Sequence, residues 1–326
     1  MAMAMSHSPR EKIMSKPIAV VAFGGNTILE AKDDGTFETQ LRKAKEACRG
    51  MLAVLYAGYE LLLVHGNGPQ IGNLLIQFEN ARDIIPMPPL DMAVASSQGL
   101  LGHMLEVSMR CVLEEARLHK DVATVLTQVV VDSEDPAYSL PTKPIGPFYS
   151  REHAEEFRTR NGWHVVEDSG RGYRRTVFSP MPQKIMNLNS IRCLIQAGAI
   201  VIAGGGGGIP VNYKTGSVMG TEGVIDKDFT AALLAYNLNA DLFIILTGVD
   251  RISLDYGKAS QRPVGLMTAS EAQRWLSEGQ FPPGSMGPKI AASIEFVEKG
   301  GREVLITNQE NLGNALRLEG GSRIVP

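Results

Sequence analysis

The sequence predicts an α/β fold built around a mostly parallel sheet that helices cover on both faces. Two observations support this prediction. Short apolar runs, typical of buried parallel strands, alternate along the chain with segments of helical periodicity. Several of these runs also lead straight into glycine-rich turns. The clearest run is Ile200–Ala203, which is followed by five consecutive glycines at residues 204–208.

An apolar run leads into a turn at four places, and three of these turns are rich in glycine. The runs are residues 18–23, 61–65, 200–203 and 243–246. In open α/β sheets ligands bind outside the carboxyl ends of the strands, so the four turns are expected to meet at one rim. Each cluster alone is equally consistent with a tight turn. Five glycines exceed what a turn needs, and each costs about 0.5–1 kcal/mol relative to Ala in regular structure, so a small anionic ligand explains the run better.

Composition narrows the class of protein. The chain has 326 residues, 44% of them hydrophobic and 21% charged, which suits a soluble globular protein of one large α/β unit or two lobes. Its formal net charge of -3 gives no basic field for nucleic acid, and no apolar run reaches the roughly 18 residues of a membrane span. The widely spaced Cys48, Cys111 and Cys193 are expected to stay reduced in the cytoplasm. Residues 1–16 are polar and Met-rich and are expected to form a disordered leader.

The remaining elements follow from periodicity and from residues that begin or end helices. The segment at residues 91–119 is expected to be a core helix, part of whose surface could instead form a dimer interface. Further strands are predicted at residues 122–131 and 304–307, with a last strand at the C terminus. Helices are predicted at residues 39–57, 69–82, 91–119, 188–197, 222–237, 269–279 and 289–298, with one more near the C terminus.

Residues 133–183 interrupt the alternation of strands and helices. The segment contains six prolines and a charged loop. So long an interruption inside a compact domain is usually either a functional insert or disordered. Its aromatic residues, which include Phe157 and Trp163, favour a small folded unit. We therefore expect a protruding, lid-like insert that carries Lys143.

Familiar nucleotide-binding and catalytic motifs are not matched. Residues 208–215 nearly fit the P-loop pattern G-x-x-x-x-G-K-[ST], but Tyr213 occupies the second glycine position and Pro210 removes a backbone donor. No G-x-G-x-x-G pattern follows the first strand. His65, beside a glycine turn at a strand end, is the histidine best placed for chemistry. It could equally do no more than hydrogen-bond its own loop.

Three lysines occupy positions where a merely solvated lysine would be unusual. Lys143 lies in a proline-rich stretch, and Lys227 and Lys289 lie near the starts of predicted helices. A positive charge at a helix N terminus opposes the helix dipole unless an anion binds there, in which case both act on the anion. Glycine turns and lysines without a nucleophile–base pair fit phosphoryl transfer, which depends on positioning and charge neutralisation.

Together these motifs resemble those of the carbamate kinases in the amino-acid-kinase superfamily, and the resemblance extends from about residue 17 to residue 326. Most members of the superfamily have a lysine two residues before the first Gly-Gly pair. Ala22 stands there in this chain, as in carbamate kinases, whose lysine at the position of Lys227 is implied to supply the missing charge. The stretches that carry the resemblance are residues 23–26 (FGGN), 65–70 (HGNGPQ), 97–99 (SQG), 141–149 (PTKPIGPFY), 204–208 (GGGGG), 224–228 (VIDKD) and 284–289 (GSMGPK).

The resemblance implies a three-layer αβα sandwich, the amino-acid-kinase fold, that forms a homodimer. It implies a lobe at residues 17–225 that binds carbamate or carbamoyl phosphate and a lobe at residues 226–326 that binds ATP or ADP. The implied reaction is ATP + carbamate ⇌ ADP + carbamoyl phosphate, with Mg²⁺ accompanying the nucleotide, in arginine or allantoin breakdown. The sequence departs from the family pattern at Phe23, Thr27 and Gly248, and Gly248 lies near the implied nucleotide site.

The resemblance also assigns roles to residues. Carbamate is already an anion with an oxygen nucleophile, so no general base is expected, and no side-chain motif for a metal is present. Charge neutralisation is assigned to Lys143, Lys227 and Lys289, with Asp228 holding the ammonium groups in place. Contacts to carbamate and the phosphoryl group are assigned to Gly24, Gly25, Asn26, Gly66, Asn67, Gly68, Gly204, Gly205 and Gly206. Nucleotide contacts are assigned to Thr247, Gly248, Val249, Met286, Gly287 and Lys289.

Two other functions are also compatible with the sequence. One is an amino-acid kinase that phosphorylates another carboxylate, such as an acylated glutamate. The absent early lysine and the insert with Lys143 disfavour this reading. The other is a non-catalytic sensor of nucleotide or carbamoyl phosphate with the same fold. The intact Lys143, Lys227, Lys289 and Asp228 disfavour a sensor, because drift usually removes charged catalytic residues first.

Overall fold

The computed structural model describes residues 16–30, 33–168, 172–214 and 216–326. Apart from Lys16, the expected disordered leader lies outside these residues, so that expectation stays a prediction. Within the described ranges, no helix is long and apolar enough to cross a membrane.

The strands are short, and most of their residues are buried. In chain order they are β1 (Ile18–Phe23), β2 (Glu60–His65), β3 (Val122–Val125), β4 (Gln128–Val131), β5 (Lys143–Tyr149), β6 (Val165–Glu167), β7 (Tyr173–Val177), β8 (Pro182–Ile185), β9 (Ile200–Ala203), β10 (Ile209–Lys214), β11 (Ser217–Gly220), β12 (Leu242–Leu246), β13 (Ile252–Leu254), β14 (Arg262–Val264), β15 (Leu266–Thr268), β16 (Val304–Thr307) and β17 (Ser322–Val325).

The α-helices lie close to the positions that periodicity predicts, except α4, which lies in the insert and was not predicted. In chain order they are α1 (Phe37–Tyr56), α2 (Gly68–Ala81), α3 (Leu90–Ala116), α4 (Arg151–Asn161), α5 (Leu188–Gln196), α6 (Lys227–Leu238), α7 (Ala269–Ser277), α8 (Met286–Glu298) and α9 (Leu312–Leu316).

The central sheet has eight strands in the order β15-β17-β16-β12-β1-β2-β9-β3. Neighbouring strands run parallel except for β16 and β17, which are antiparallel. The sheet is continuous across residue 225, with β1 paired in parallel to β12. The assignment of a carbamate lobe and a nucleotide lobe to its two halves stays a prediction.

Alternation along β1 builds a hydrophobic core on each side of the sheet. Val20 and Ala22 pack with buried residues of α5, α6, α7 and α8 on one face. Ala19 and Val21 pack with α1, α3 and α9 on the other face. Successive strand residues point to opposite faces, so a strand buried on both sides must be apolar throughout, as β1 is. The three-layer αβα sandwich is therefore confirmed.

The predicted strand at residues 122–131 is wrong in one respect, because it forms two strands in different sheets. β3 closes the edge of the central sheet, whereas β4 belongs to a second sheet in the order β11-β10-β4-β8. The break falls at Leu126 and Thr127, where the Thr127 hydroxyl donates to the carbonyl oxygen of Val125 at 2.7 Å. Such a local side-chain bond competes with the regular ladder. Residues 209–214, which nearly fitted a P-loop, form β10, so rejection of that motif is confirmed.

Two predicted helix starts shift for local reasons. The helix expected from residue 222 begins at Lys227, because the Asp226 carboxylate accepts the Asp228 N–H at 3.0 Å and caps α6. The helix expected from Lys289 begins three residues earlier, at Met286.

The insert folds as a small sheet, β5-β7-β6, with α4 against it. Its core is a cluster of Tyr149, Phe157 and Trp163, in which the Phe157 and Trp163 ring centroids lie 4.7 Å apart. The insert meets the main body where β5 crosses α2. A Cβ built on Gly72 would lie 1.9 Å from the Cα of Gly146, so the two backbones approach as closely as only glycine permits.

We expect Gly72→Ala to move the insert away from α2. The added methyl group meets backbone rather than a flexible side chain, so the clash should lower the free energy of unfolding by about 1–3 kcal/mol. Gly99→Ala, in exposed helix with no heavy atom within 4 Å, should be neutral or stabilising by up to about 1 kcal/mol. Urea denaturation of both variants measures the difference, and equal stabilities would contradict the tight approach.

Candidate active site

A cavity of about 570 Å³ opens at the carboxyl ends of the central strands. Turns after β1, β2 and β12 line it, together with one residue of the glycine run after β9 and the start of α8. The sequence therefore predicted the position of this rim correctly. The predicted site residues on the cavity wall are Gly24, Gly25, Gly66, Asn67, Gly68, Lys143, Gly206, Lys227, Asp228, Thr247, Gly248, Val249, Met286 and Lys289.

Three other predicted residues are buried behind the wall rather than on it. The Gly204 N–H donates to the Thr127 hydroxyl at 2.9 Å, and the Gly287 N–H donates to the Pro282 carbonyl oxygen at 2.9 Å. A Cβ on Gly205 would lie 2.3 Å from Nε2 of His65. These glycines permit close packing behind the cavity.

Two further glycine-turn residues need separate comment. Gly66 is on the wall, but its N–H donates to the Phe23 carbonyl oxygen at 2.8 Å, so this amide is already engaged. A Cβ on Gly66 would lie 2.6 Å from the Gly25 nitrogen, which explains why the turn after β2 needs glycine there. The predicted contact of Asn26 with carbamate or the phosphoryl group stays a prediction, because the side chain of Asn26 lies outside what the structure describes.

Asp228 joins two of the predicted lysines. Its carboxylate accepts a hydrogen bond from Lys227 Nζ at 2.5 Å and another from Lys289 Nζ at 3.0 Å. The Asp228 side chain is only 2% exposed, and Lys227 is 11% exposed. A buried charge is tolerated when it is paired and hydrogen-bonded, as this carboxylate is. The predicted role of Asp228 as the acceptor for the lysine ammonium groups matches this geometry.

Lys143 reaches the same cavity from the insert. Its Nζ donates to the Asp226 carboxylate at 3.0 Å. Sequence reasoning gave Asp226 no role, although Asp is a preferred N-cap residue and its position before α6 was a usable signal. The three lysines and two aspartates of this cluster together carry one net positive charge, which favours an anionic ligand.

Burial and neighbouring charges act together on these groups. Burial opposes ionisation of Asp228, but Lys227 and Lys289 outweigh it and hold the pKa of that carboxyl below its usual value. Burial, reinforced by the nearby Lys289, lowers the pKa of Lys227 despite the attraction of Asp228. The pKa of Lys289 is raised, because Asp228 outweighs the opposing effect of burial. The cluster thus keeps Asp228 ionised beside two cations.

The chain is similar to known proteins over nearly its whole length. The model of the amino acid kinase family matches residues 17–308. The chain belongs to the amino acid kinase family. It is 40% identical to the carbamate kinase of Pyrococcus furiosus, over 94% of this chain and 98% of that protein. It is 42% identical to the carbamate kinase-like protein YahI of Escherichia coli, over 95% and 99%. A solved structure of carbamate kinase from Giardia lamblia bound to AMP-PNP superposes with a TM-score of 0.87 at 36% identity, covering 95% of this chain and 98% of that one.

In this member of the amino acid kinase family, several residues that line the cavity could not be predicted from the sequence. Arg174, in β7 of the insert, donates from Nε to the Gly146 carbonyl oxygen at 3.1 Å and pairs with Asp168 at 3.3 Å. These residues lie on strands, helices and loops that are far apart in the chain, and no spacing pattern connects them. The other missed residues on the wall are Pro69, Pro144, Ile225, Asp226, Arg251, Ile252, Ser253, Tyr256, Gln280, Phe281, Pro282, Gly284, Ser285 and Pro288.

His65 packs behind the glycine run and is 1% exposed. Its Nδ1 lies 3.0 Å from the Gly66 carbonyl oxygen. Burial lowers its pKa to about 4, with the Gly66 carbonyl opposing this effect, so the ring is neutral at pH 7 and Nδ1 donates. Of the two roles left open by the sequence, the geometry matches the loop hydrogen bond.

We expect His65 to contribute to acid sensitivity. The unfolded histidine titrates near its ordinary pKa of about 6.5, so the stability contributed by the neutral ring is present above that pH and is lost as pH falls towards 4. His65→Asn keeps a donor for the Gly66 carbonyl but cannot titrate. Between pH 7 and 4.5 the wild type should lose about 2–3 kcal/mol more unfolding free energy than this variant in urea titrations. Parallel pH profiles would argue against the buried neutral ring.

Proposed function

We propose that this protein is a carbamate kinase that catalyses ATP + carbamate ⇌ ADP + carbamoyl phosphate. The convergence of Lys143, Lys227 and Lys289 on one cavity supports this proposal most strongly. The relatives named carbamate kinase support the choice of substrate, since they match this chain over nearly its whole length. Phosphoryl transfer needs cations around the transferring group, and the three lysines provide them.

In the proposed reaction a carbamate oxygen attacks the γ-phosphorus of ATP. A bond forms between that oxygen and phosphorus, and the bond between phosphorus and the bridging oxygen of ADP breaks. Carbamate is an anion at the outset, so no proton has to be removed by a base. The cations neutralise charge on the phosphoryl oxygens, while Asn67 and the turns at Gly24, Gly25 and Gly68 orient the carbamate.

The nucleotide is proposed to bind at the other side of the cavity. Thr247, Gly248 and Val249 follow β12 there, and Met286 and Lys289 lie in the first turns of α8. A helix N terminus attracts phosphate, and the Lys289 ammonium acts on the same anion. The AMP-PNP bound to the Giardia lamblia carbamate kinase supports nucleotide binding by this fold.

Mg²⁺ is proposed to accompany the nucleotide. In the described part of the chain, no group of three or more His, Cys, Asp or Glu side chains is placed to hold a metal ion. Asp228 and Asp226 line the cavity, but each already accepts from a lysine. These two carboxylates fit an ion that is held mainly by the phosphates of the substrate, as is usual for Mg²⁺. Asp228 is the carboxylate that accepts from both Lys227 and Lys289. When bound, the ion adds positive charge at the phosphates.

The proposal includes a cytoplasmic homodimer that acts in arginine or allantoin breakdown. Exposed apolar side chains on α3, among them Met92 and Leu100, support a dimer interface along that helix. Cys111 and Cys193 are free and exposed, which suits a reducing compartment.

A coupled assay tests the proposed activity and its alternatives. The protein is mixed with carbamoyl phosphate, ADP and Mg²⁺, and ATP is measured by luciferase. Formation of ATP that requires all three is the expected result. Tight ADP binding without ATP at any pH between about 6 and 9 would favour the sensor. ATP consumption with an acylated glutamate, and none with carbamate, would favour the other amino-acid kinase.

We expect Lys143→Ala to lower kcat by about 10²–10³-fold while ADP affinity stays within a few-fold. Lys143 belongs to the insert, so we expect its ammonium group to stabilise the phosphoryl group in the transition state more than it stabilises either bound substrate. Lys184→Ala, at an exposed position in β8, is the matched control and should leave kcat within about twofold. Turnover and calorimetric ADP binding are measured on the same preparations. A twofold effect of Lys143→Ala would remove this lysine from the catalytic residues.

A further inference from the structure

Two neighbouring residues of α3, Ser97 and Gln98, lie directly behind the cavity wall. Ser97 is 0% exposed and Gln98 is 2% exposed. Buried polar side chains in a helix are costly unless they are fully hydrogen-bonded. The partners of these two side chains belong to two different turns of the site, although they are adjacent in sequence.

Ser97 holds the turn after β2. Its hydroxyl donates to the Val94 carbonyl oxygen at 2.7 Å and accepts from Asn67 Nδ2 at 2.8 Å. The Asn67 amide group therefore has one orientation. A Cβ built on Gly206 would lie 2.1 Å from Asn67 Nδ2, so the same amide packs tightly against the glycine run.

Gln98 holds the glycine run itself. Its Nε2 donates to the Gly205 carbonyl oxygen at 2.8 Å and to the Thr127 carbonyl oxygen at 3.3 Å. Its Oε1 accepts the Thr127 N–H at 2.8 Å. The NH2 group of the Gln98 side chain thus faces two acceptors, and its oxygen faces one donor. Only one orientation of the side-chain amide makes all three hydrogen bonds.

The remaining groups behind the run are also engaged. The Thr127 hydroxyl accepts the Gly204 N–H at 2.9 Å, and the Thr230 hydroxyl donates to the Gly207 carbonyl oxygen at 2.7 Å. Gly206 is the residue of the run that lines the cavity. Side chains thus hold the run from behind, in a conformation whose positive φ angles at Gly204, Gly206, Gly207 and Gly208 favour glycine.

We propose that Ser97 and Gln98 are positioning residues that set the turn after β2 and the glycine run at a fixed spacing from each other. The inference rests on the proposed function, because these two turns are among those assigned to carbamate and the transferring phosphoryl group. Neither residue lines the cavity. Ser97 acts through Asn67, and Gln98 acts through Gly205, the residue before Gly206 on the cavity wall. Two loops on adjacent strands would otherwise vary independently, and a displacement of about 1 Å can cost 10²-fold in rate.

The test compares two serines of the same helix. Ser97→Ala removes the acceptor of Asn67. Ser108→Ala is the matched control, since Ser108 is also buried in α3 and its hydroxyl has no hydrogen-bond partner among the described residues. We expect Ser97→Ala to lower kcat/KM for carbamoyl phosphate by about 10–100-fold, as supporting residues behind a site typically do, with ADP affinity within about twofold. Ser108→Ala should match the wild type in both quantities.

Amide hydrogen exchange provides a readout that does not need activity. Peptides covering residues 65–70 and 200–210 should exchange faster in Ser97→Ala than in Ser108→Ala or the wild type. Equal exchange and equal kcat/KM in the two serine variants would overturn the inference. If the wild type forms no ATP, the proposed function fails, and the exchange comparison alone then decides whether Ser97 holds the turn.

Gln98→Glu extends the test to the glycine run. An ionised carboxylate would face the Gly205 and Thr127 carbonyl oxygens, whereas its protonated form can again donate to Gly205. The ratio of variant to wild-type kcat should therefore rise severalfold from pH 8 to pH 6, and His65 behind Gly205 stays neutral over that range. Gln98→Met has no proton to gain and should be slow at every pH. A flat ratio in both variants, at the wild-type level, would exclude a role for Gln98.

Discussion

The buried Asp228 carboxylate is the interaction on which the rest of the site depends. Two ammonium groups, from Lys227 and Lys289, share its two oxygens. Without a counter-charge, burial and mutual repulsion would drive at least one lysine to lose its proton. With Asp228 ionised, both cations stay in place, and the cavity keeps a net positive charge. An arriving phosphate therefore meets charges that are already oriented, which is how electrostatic catalysis avoids reorganisation at the moment of reaction.

The fold supplies this carboxylate by ordinary means. Asp226 caps α6, which places Lys227 and Asp228 in its first turn, at the rim of the sheet. The helix start thus holds one lysine of the site, while α8 and the insert bring the other two. On the opposite side, α3 fixes the turns that face these cations. Each cation and each turn comes from a different segment of the chain, so the rigid sheet and its two helix layers determine their spacing.

Much of this arrangement could be predicted from the sequence, because it depends on local signals. Apolar runs ending in glycine located the rim, and lysines near helix starts were electrostatically unusual enough to be noticed. The missed features depend on partners distant in sequence. Thr127 ends a strand and bonds to Gly204, and Gln98 contacts Gly205, more than a hundred residues away. The glycine run predicts ligand-binding backbone, but the side chains packed behind Gly204 and Gly205 leave too little room for a Cβ at either residue. Arg174 had no local signal at all.

The central claim is tested most directly by the turnover of Asp228→Asn at saturating substrates. The substitution keeps the size and shape of the side chain but removes its charge, and it replaces one of the two oxygens that accept from Lys227 and Lys289 with an NH2 donor. The account predicts that kcat falls by at least about 10²-fold in folded protein, because Lys227 and Lys289 lose their shared counter-ion. Asp121→Asn, at an exposed position, is the control and should stay within about twofold of wild type. A folded Asp228→Asn variant with wild-type turnover would contradict the account.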